Sequence, residues 1–168
     1  YPFRKTLNIL SDADLTITNL ESPLISKCPV HLEGMKFCGQ PEFAKAMRNA
    51  GIDVVGIENN HIGNYGVNGI EETKKYISES SMSPVALDTP VYKNVKGTVF
   101  GIIAINMVTS RPVDKVALEQ MIKNVKSNSN IVVVLPHWGR EYSLVPKSAP
   151  GISPDDPIAL GRFMIDSG

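Results

Sequence analysis

Apolar residues recur along this chain at two spacings, and the alternation between them lays out the elements. Phe3, Leu7 and Leu10 share one face at helical spacing. Leu15 to Leu20 (LTITNL) is rich in β-branched residues and predicts a strand. Ile25 to Gln40 has no clear period and is expected to be a long excursion. Pro41 opens a helix whose buried side is Phe43, Ala44, Met47 and Ala50, with Gly51 as its stop. Asp53 to Ile57 predicts the next strand, and Gly69 to Glu79 a helix carrying Ile70, Thr73, Tyr76 and Ile77. Ser80 to Pro84 should break it before a short strand at Val85-Ala86-Leu87.

In the second half, Val91–Asn94 and Thr98–Asn106 predict two or three strands turning at Lys96-Gly97. Arg111 to Ser127 should be helical, burying Val113, Val116, Leu118, Met121, Ile122 and Val125. Ile131 to Leu135 is an unbroken apolar run, the pattern of a strand covered on both faces. Pro146 to Pro157 predicts a loop, and Ile158 to Ser167 another amphipathic helix. Strands alternating with helices imply α/β layers. Without repeats, low-complexity tracts or charge runs, residues 1–168 are expected to form a single domain.

The polar residues that follow the strands carry the candidate chemistry. Asn19 and Glu21 lie two apart after the first strand, so an extended chain points both to one face. Val54-Val55-Gly56-Ile57 runs straight into Glu58-Asn59-Asn60-His61, and Ile131–Leu135 into Pro136-His137-Trp138-Gly139-Arg140-Glu141. Polar side chains beside a buried strand are costly unless they bond each other, a metal or a ligand. In parallel sheets the carboxyl ends of strands are where ligands sit. Carboxylate, amide and imidazole together suit a divalent cation such as Mn, Fe or Zn. The blander alternatives are a polar turn at Asn59-Asn60, a satisfied polar His137 and a core aromatic at Trp138.

Composition changes this picture little. Seventeen basic residues balance seventeen acidic ones, which gives no reason to expect nucleic acid as a partner. No apolar run approaches the ~20 residues of a transmembrane helix, and neither a Gly-x-Ser-x-Gly elbow nor a phosphate-binding glycine loop is present. Cys28 and Cys38 do not have zinc-site spacing. They either form a disulfide closing a short loop, which favours an extracytoplasmic compartment, or are unrelated thiols. His31 between them reads as a surface loop residue.

Three stretches then carry a family resemblance. They are Asp14-Leu-Thr-Ile-Thr-Asn-Leu-Glu-Ser-Pro-Leu24, Asn59-Asn60-His61-x-x-x-Tyr65-Gly66 and His137-Trp-Gly-x-Glu141. With Phe37-x-x-x-Pro41-Glu42, Ala50-Gly-Ile-Asp-Val-Val55, Gly69-x-x-Glu72-Thr73 and Met164-Ile-Asp-Ser-Gly168, the chain resembles the bacterial capsule-synthesis proteins, the family of the poly-γ-glutamate synthesis and export subunit. The resemblance covers essentially the whole chain in order. It implies the fold of calcineurin-like metallophosphoesterases, a layered β-sandwich flanked by helices. It also implies metal ligands at Asn60, His137 and, more loosely, Glu21, with His61 as general acid. Glu141 is implied to orient His137, and Asn19 and Asn59 to support the site.

Two departures accompany it. Asn64 stands where the family commonly has Asp. The family's Gly-Asp and Gly-His-x-Pro-His motifs fall outside these residues, so the resemblance implies a fold truncated at both ends and an incomplete metal site. The chain opens on Tyr1 rather than Met and reads as part of a longer protein. The function implied is capsule or poly-γ-glutamate biosynthesis, with metal-assisted hydrolysis of a phosphoester or of the polymer's amide. The alternative is a non-catalytic accessory or polymer-binding module. Either way the expected partners are an anionic polymer or phosphoester, membrane-bound capsule-synthesis subunits and a second copy of the chain. The expected location is outside the cytoplasm, membrane-associated or at the cell surface.

Overall fold

The computed structural model describes residues 2–30 and 34–168. His31 therefore lies outside the described residues. The chain divides into two compact units, Tyr1–Ile57 with His61–Val85, and Glu58–Asn60 with Ala86–Gly168. Both are built from strands and helices, as the α/β reading expects.

In the first unit a short helix α1 (Leu7–Ser11) precedes strand β1 (Ile17–Asn19). Helix α2 (Glu42–Asn49), strand β2 (Val54–Gly56), helix α3 (Gly66–Glu79) and strand β3 (Ser83–Val85) follow. The strands are parallel in the order β1-β2-β3. Parallel neighbours cannot be joined by a tight turn, so α2 and α3 make the two crossovers. Asn19 lies opposite Gly56 and Gly56 opposite Val85, which brings the three strands level at their carboxyl ends. Central β2 is fully buried. Gly51 ends α2 at φ +95°, and a Cβ there would meet the Ser11 backbone, so both conformation and space demand glycine.

The excursion from Ile25 to Gln40 is closed at its neck. Leu24 bridges Gly39, with Ile25 N–H donating to Gly39 O and Gly39 N–H to Pro23 O. Cys28 and Cys38 are joined as a disulfide with Cα atoms 5.7 Å apart. The side chain of Thr73 on α3 ties this neck down, accepting from Leu24 N–H at 2.8 Å and donating to Gly69 O at 2.6 Å.

The second unit holds strands β4 (Val91–Val95), β5 (Thr98–Asn106) and β6 (Ile131–His137) in that order. β4 and β5 form an antiparallel hairpin. Its two turn residues, Lys96 and Gly97, both have positive φ, the conformation that matches strand twist. β5 and β6 are parallel, joined through helix α4 (Lys115–Ser127). Helix α5 (Pro157–Asp166) follows. Asp114 and Asp156 cap the two helices through their carboxylates. Ile103, Ile105 and Met107 pack with Leu118, Ile122, Val125, Leu160 and Met164 into one core.

Four sequence expectations need correction. The strand after α3 spans Ser83–Val85, with Pro84 at its centre. β3 is an edge strand, where a residue without an N–H is tolerated. Phe43 and Val116 are exposed rather than buried, because each sits on the outer side of the first turn of its helix. α4 begins at Lys115, since the Asp114 cap sets its start. Finally, β6 is not covered on both faces: it is an edge strand, half-buried along its length, with Ile131 exposed. The doubly covered strand is central β5, whose residues Ile102 to Ile105 are all buried.

Candidate functional site

His61 begins a single 3₁₀ turn, Ile62–Tyr65, directly after the chain leaves β2. In that helix side chains three apart eclipse one another, so Asn64 falls beside His61. Asn64 Oδ1 lies 3.2 Å from His61 Nδ1 and accepts the backbone N–H of Phe37 at 2.6 Å. The Phe37 ring packs on the imidazole with centroids 4.4 Å apart, and His61 is only 7% exposed. A backbone N–H can only donate, so the atom of Asn64 that meets it is oxygen. That same oxygen faces the histidine. Nδ1 of His61 therefore carries the proton of this contact.

The second histidine is placed differently. His137 is the last residue of β6, opposite Asn106 on β5, and its carbonyl accepts from Met107 N–H at 2.8 Å. Its Nε2 is 2.8 Å from Asn60 Oδ1, a contact between residues 77 apart in sequence, both in the second unit. Asn60 is exposed and His137 half-buried. Beside Asn60, Asn59 is 3% exposed, and the Glu58 carboxylate accepts the N–H of Leu87 at 3.3 Å.

Asn19 and Glu21 are exposed at and just beyond the end of β1, in the first unit. Glu141 is exposed in the loop after β6. Trp138 is half-buried against the core of its unit, the structural role the sequence favours for it. The sequence marked Asn64 only as a departure from the family's Asp and Phe37 only as part of a linking motif; the contacts of both with His61 went unread. The three-residue spacing from His61 was a usable signal for Asn64, whereas the aperiodic stretch around Phe37 gave no sign of its contact.

An amide oxygen and an imidazole nitrogen at 2.8 Å fit in kind a borderline divalent cation, which would take the place of the proton between them. Two neutral donors fall short of a complete coordination shell. Among the described residues no group of three His, Cys, Asp or Glu is placed to hold a metal.

Comparison with known proteins gives the family of the chain and a likeness of fold. The family model described as "Bacterial capsule synthesis protein PGA_cap" matches residues 1–168. The chain is 28% identical to "Capsule biosynthesis protein CapA" of Bacillus anthracis over 197 aligned positions, covering all of this chain and 46% of that protein. It is 27% identical to "PGA biosynthesis protein CapA" of Bacillus subtilis (strain 168), covering 95% of this chain and 46% of that one. The chain thus spans about half the length of these relatives. Among solved structures it resembles a putative 5′-nucleotidase from Staphylococcus aureus. The TM-score is 0.52 at 17% identity, over 73% of this chain and 29% of that one. That likeness is one of fold, of the metallophosphoesterase type.

Proposed function

The chain belongs to the bacterial capsule synthesis protein family, and on that premise we propose that it forms part of a hydrolase of capsule-polymer synthesis. Its substrate is a phosphoester or the amide of an anionic polymer of the poly-γ-glutamate kind. The observation that carries this reading is the contact between Asn60 and His137, which unites two separate polar motifs. Asn60 and His137 are the donors for a divalent cation. When bound, such an ion supplies Lewis-acid polarisation of the oxygen that gains charge.

The chain's other contribution is a proton. His61, held at Nδ1 by Asn64, acts as the general acid and gives a proton to the leaving oxygen or nitrogen as water replaces it. Phe37 shields the ring from solvent on one side. Glu21 is proposed, more loosely, as a further metal donor, and Asn19, Asn59 and Glu141 as supporting residues. The disulfide supports action in an oxidising compartment outside the cytoplasm, alongside membrane-bound synthesis subunits. No helix among the described residues is long and apolar enough to cross a membrane.

The test is hydrolysis of a phosphodiester probe and of poly-γ-glutamate by the full-length protein, with and without His61→Ala. A loss of ~10²–10⁴-fold is expected from removing a general acid. An unchanged rate would remove the role. One observation favours a second reading, a polymer-binding accessory: the partner of His61 is a neutral amide rather than a carboxylate. Polymer titrated against chelator-treated protein separates the two, since a binder keeps its affinity and the hydrolase site does not.

A further inference from the structure

The sheet of the second unit has two outer strands, and they are unlike. β4 ends the sheet on one side. Half-buried and exposed residues alternate along it, and Lys93 stands at its centre. A charge and a wet face are what keep an edge from pairing with another strand. β6 ends the sheet on the other side. From Ile131 to Leu135 it carries neither a charge nor a polar side chain, and its burial does not alternate. Every second N–H along it faces away from β5. Pro136 has no N–H to give, so the stretch able to pair is Ile131–Leu135.

A groove of about 550 Å³ accompanies that strand, entirely within the second unit. β6 lines it with Val132, Val134 and Pro136, which are two apart and so share one face of the sheet. α5 lines it with Met164 and Ile165. Ile165 is 77% exposed and Ile131, at the start of β6, 44%. Apolar surface of this kind beside an unpaired backbone edge fits an extended segment that supplies both main-chain bonds and apolar side chains.

The helices say which segment that is. α4 joins the parallel pair β5 and β6, and its Leu118, Ile122 and Val125 pack with Ile103 and Ile105 of β5. α5 follows β6 and brings Leu160 and Met164 into the same cluster, so both helices cover one face of the sheet. Crossovers between parallel strands are right-handed almost without exception. Two crossovers of one hand on one face step along the sheet in one direction: from β5 to β6, then from β6 to the position beyond it. The chain spans about half the length of the Bacillus relatives described above, whose remaining residues are ample for another strand. We propose that β6 is an interior strand of the full-length protein, paired in parallel with a further strand supplied by the segment that follows α5. That strand is about five or six residues long, and its side chains toward α5 are apolar and fill the groove. The proposal is independent of the roles given to His61 and His137.

The experiment is hydrogen exchange resolved to single amides in the full-length protein, together with photocrosslinking. Loss of fast exchange at every amide from Ile131 to Leu135 is expected, because an interior strand bonds on both sides. Slow and fast amides in alternation, the sign of an edge, would overturn the proposal. A benzophenone amino acid placed at Ile131, and in a separate variant at Ile165, captures whatever occupies the groove. Both positions are exposed, so the core of the unit is left intact. The captured peptide, identified by mass spectrometry, should belong to the same chain and to the first strand-forming segment after Gly168. Capture of a second copy, seen as a crosslinked dimer on a denaturing gel, would overturn the proposal. Capture of any other segment, or of nothing from both positions, would do the same.

Discussion

The two histidines that follow strands look alike in sequence and are unlike in the fold. His61 is buried, walled by an aromatic ring and fixed at Nδ1 by an amide whose orientation the backbone dictates. His137 ends an edge strand, is half-buried, and meets the exposed Asn60 through Nε2. The first arrangement suits a group that must hold one proton and hand over another. The second suits a ligand whose partner can be exchanged. An imidazole after a strand is thus no assignment in itself; which ring nitrogen is committed, and to what, makes the difference.

The sharpest way to break that comparison is to remove each histidine in turn from the full-length protein. His61→Ala should cost ~10²–10⁴ in turnover with bound metal retained, as expected for loss of a general acid alone. His137→Ala should abolish turnover together with metal. Stopped assays alongside metal analysis distinguish these outcomes, and equal effects on both readouts would erase the difference drawn between the sites.

Reduction of the disulfide should act on the first region alone. Releasing a crosslink between residues 10 apart removes about 2–3 kcal/mol by loop-closure entropy. Urea titration with and without dithiothreitol measures it, while the His137 imidazole signals should stay where they are. Asn64→Ala is expected to cost about 1–3 kcal/mol, since it strips the acceptor from two partly buried donors. Asn60→Ala removes an exposed side chain and should cost less. Matching losses in the two variants would mean that the sites are equally buried in practice.

The smallest effect concerns acid. Glu72 accepts the Ser26 N–H at 2.8 Å and lies near the Tyr76 hydroxyl. The Ser26 hydrogen bond is the main reason its carboxyl is held below the ordinary value. A lowered native pKa means stability that is present above the ordinary value and lost as pH falls through the native one. Glu72→Gln should therefore be slightly less stable than wild type at neutral pH, and the gap should close in acid. Thermal melts across that range check the sign; a gap that widened in acid would contradict it.

How much of this could be read from the sequence depended on whether the signal was local. The β-branched runs, the Pro41 and Gly51 boundaries of α2 and the Lys96-Gly97 turn are set by neighbours in the chain and were legible. The exposed sides of Phe43 and Val116 and the edge position of β6 were not, because periodicity does not say how many layers lie over a strand or helix. The same holds at the candidate site. The Asn-Asn-His and His-Trp-Gly motifs stood out, yet their joining through Asn60 and His137 is a contact over 77 residues. Asn64 was visible only as a missing carboxylate. Its use as a fixed acceptor depends on Phe37, which arrives from a loop without periodicity.

Metal content tests the division of labour most directly. Full-length protein, purified without chelator and supplied with manganese or zinc, is compared with His61→Ala and with an Asn60→Ala, His137→Ala double variant. The account predicts near-stoichiometric metal in wild type and in His61→Ala, and its loss in the double variant. Metal that survives in the double variant, or disappears with His61 alone, would contradict it.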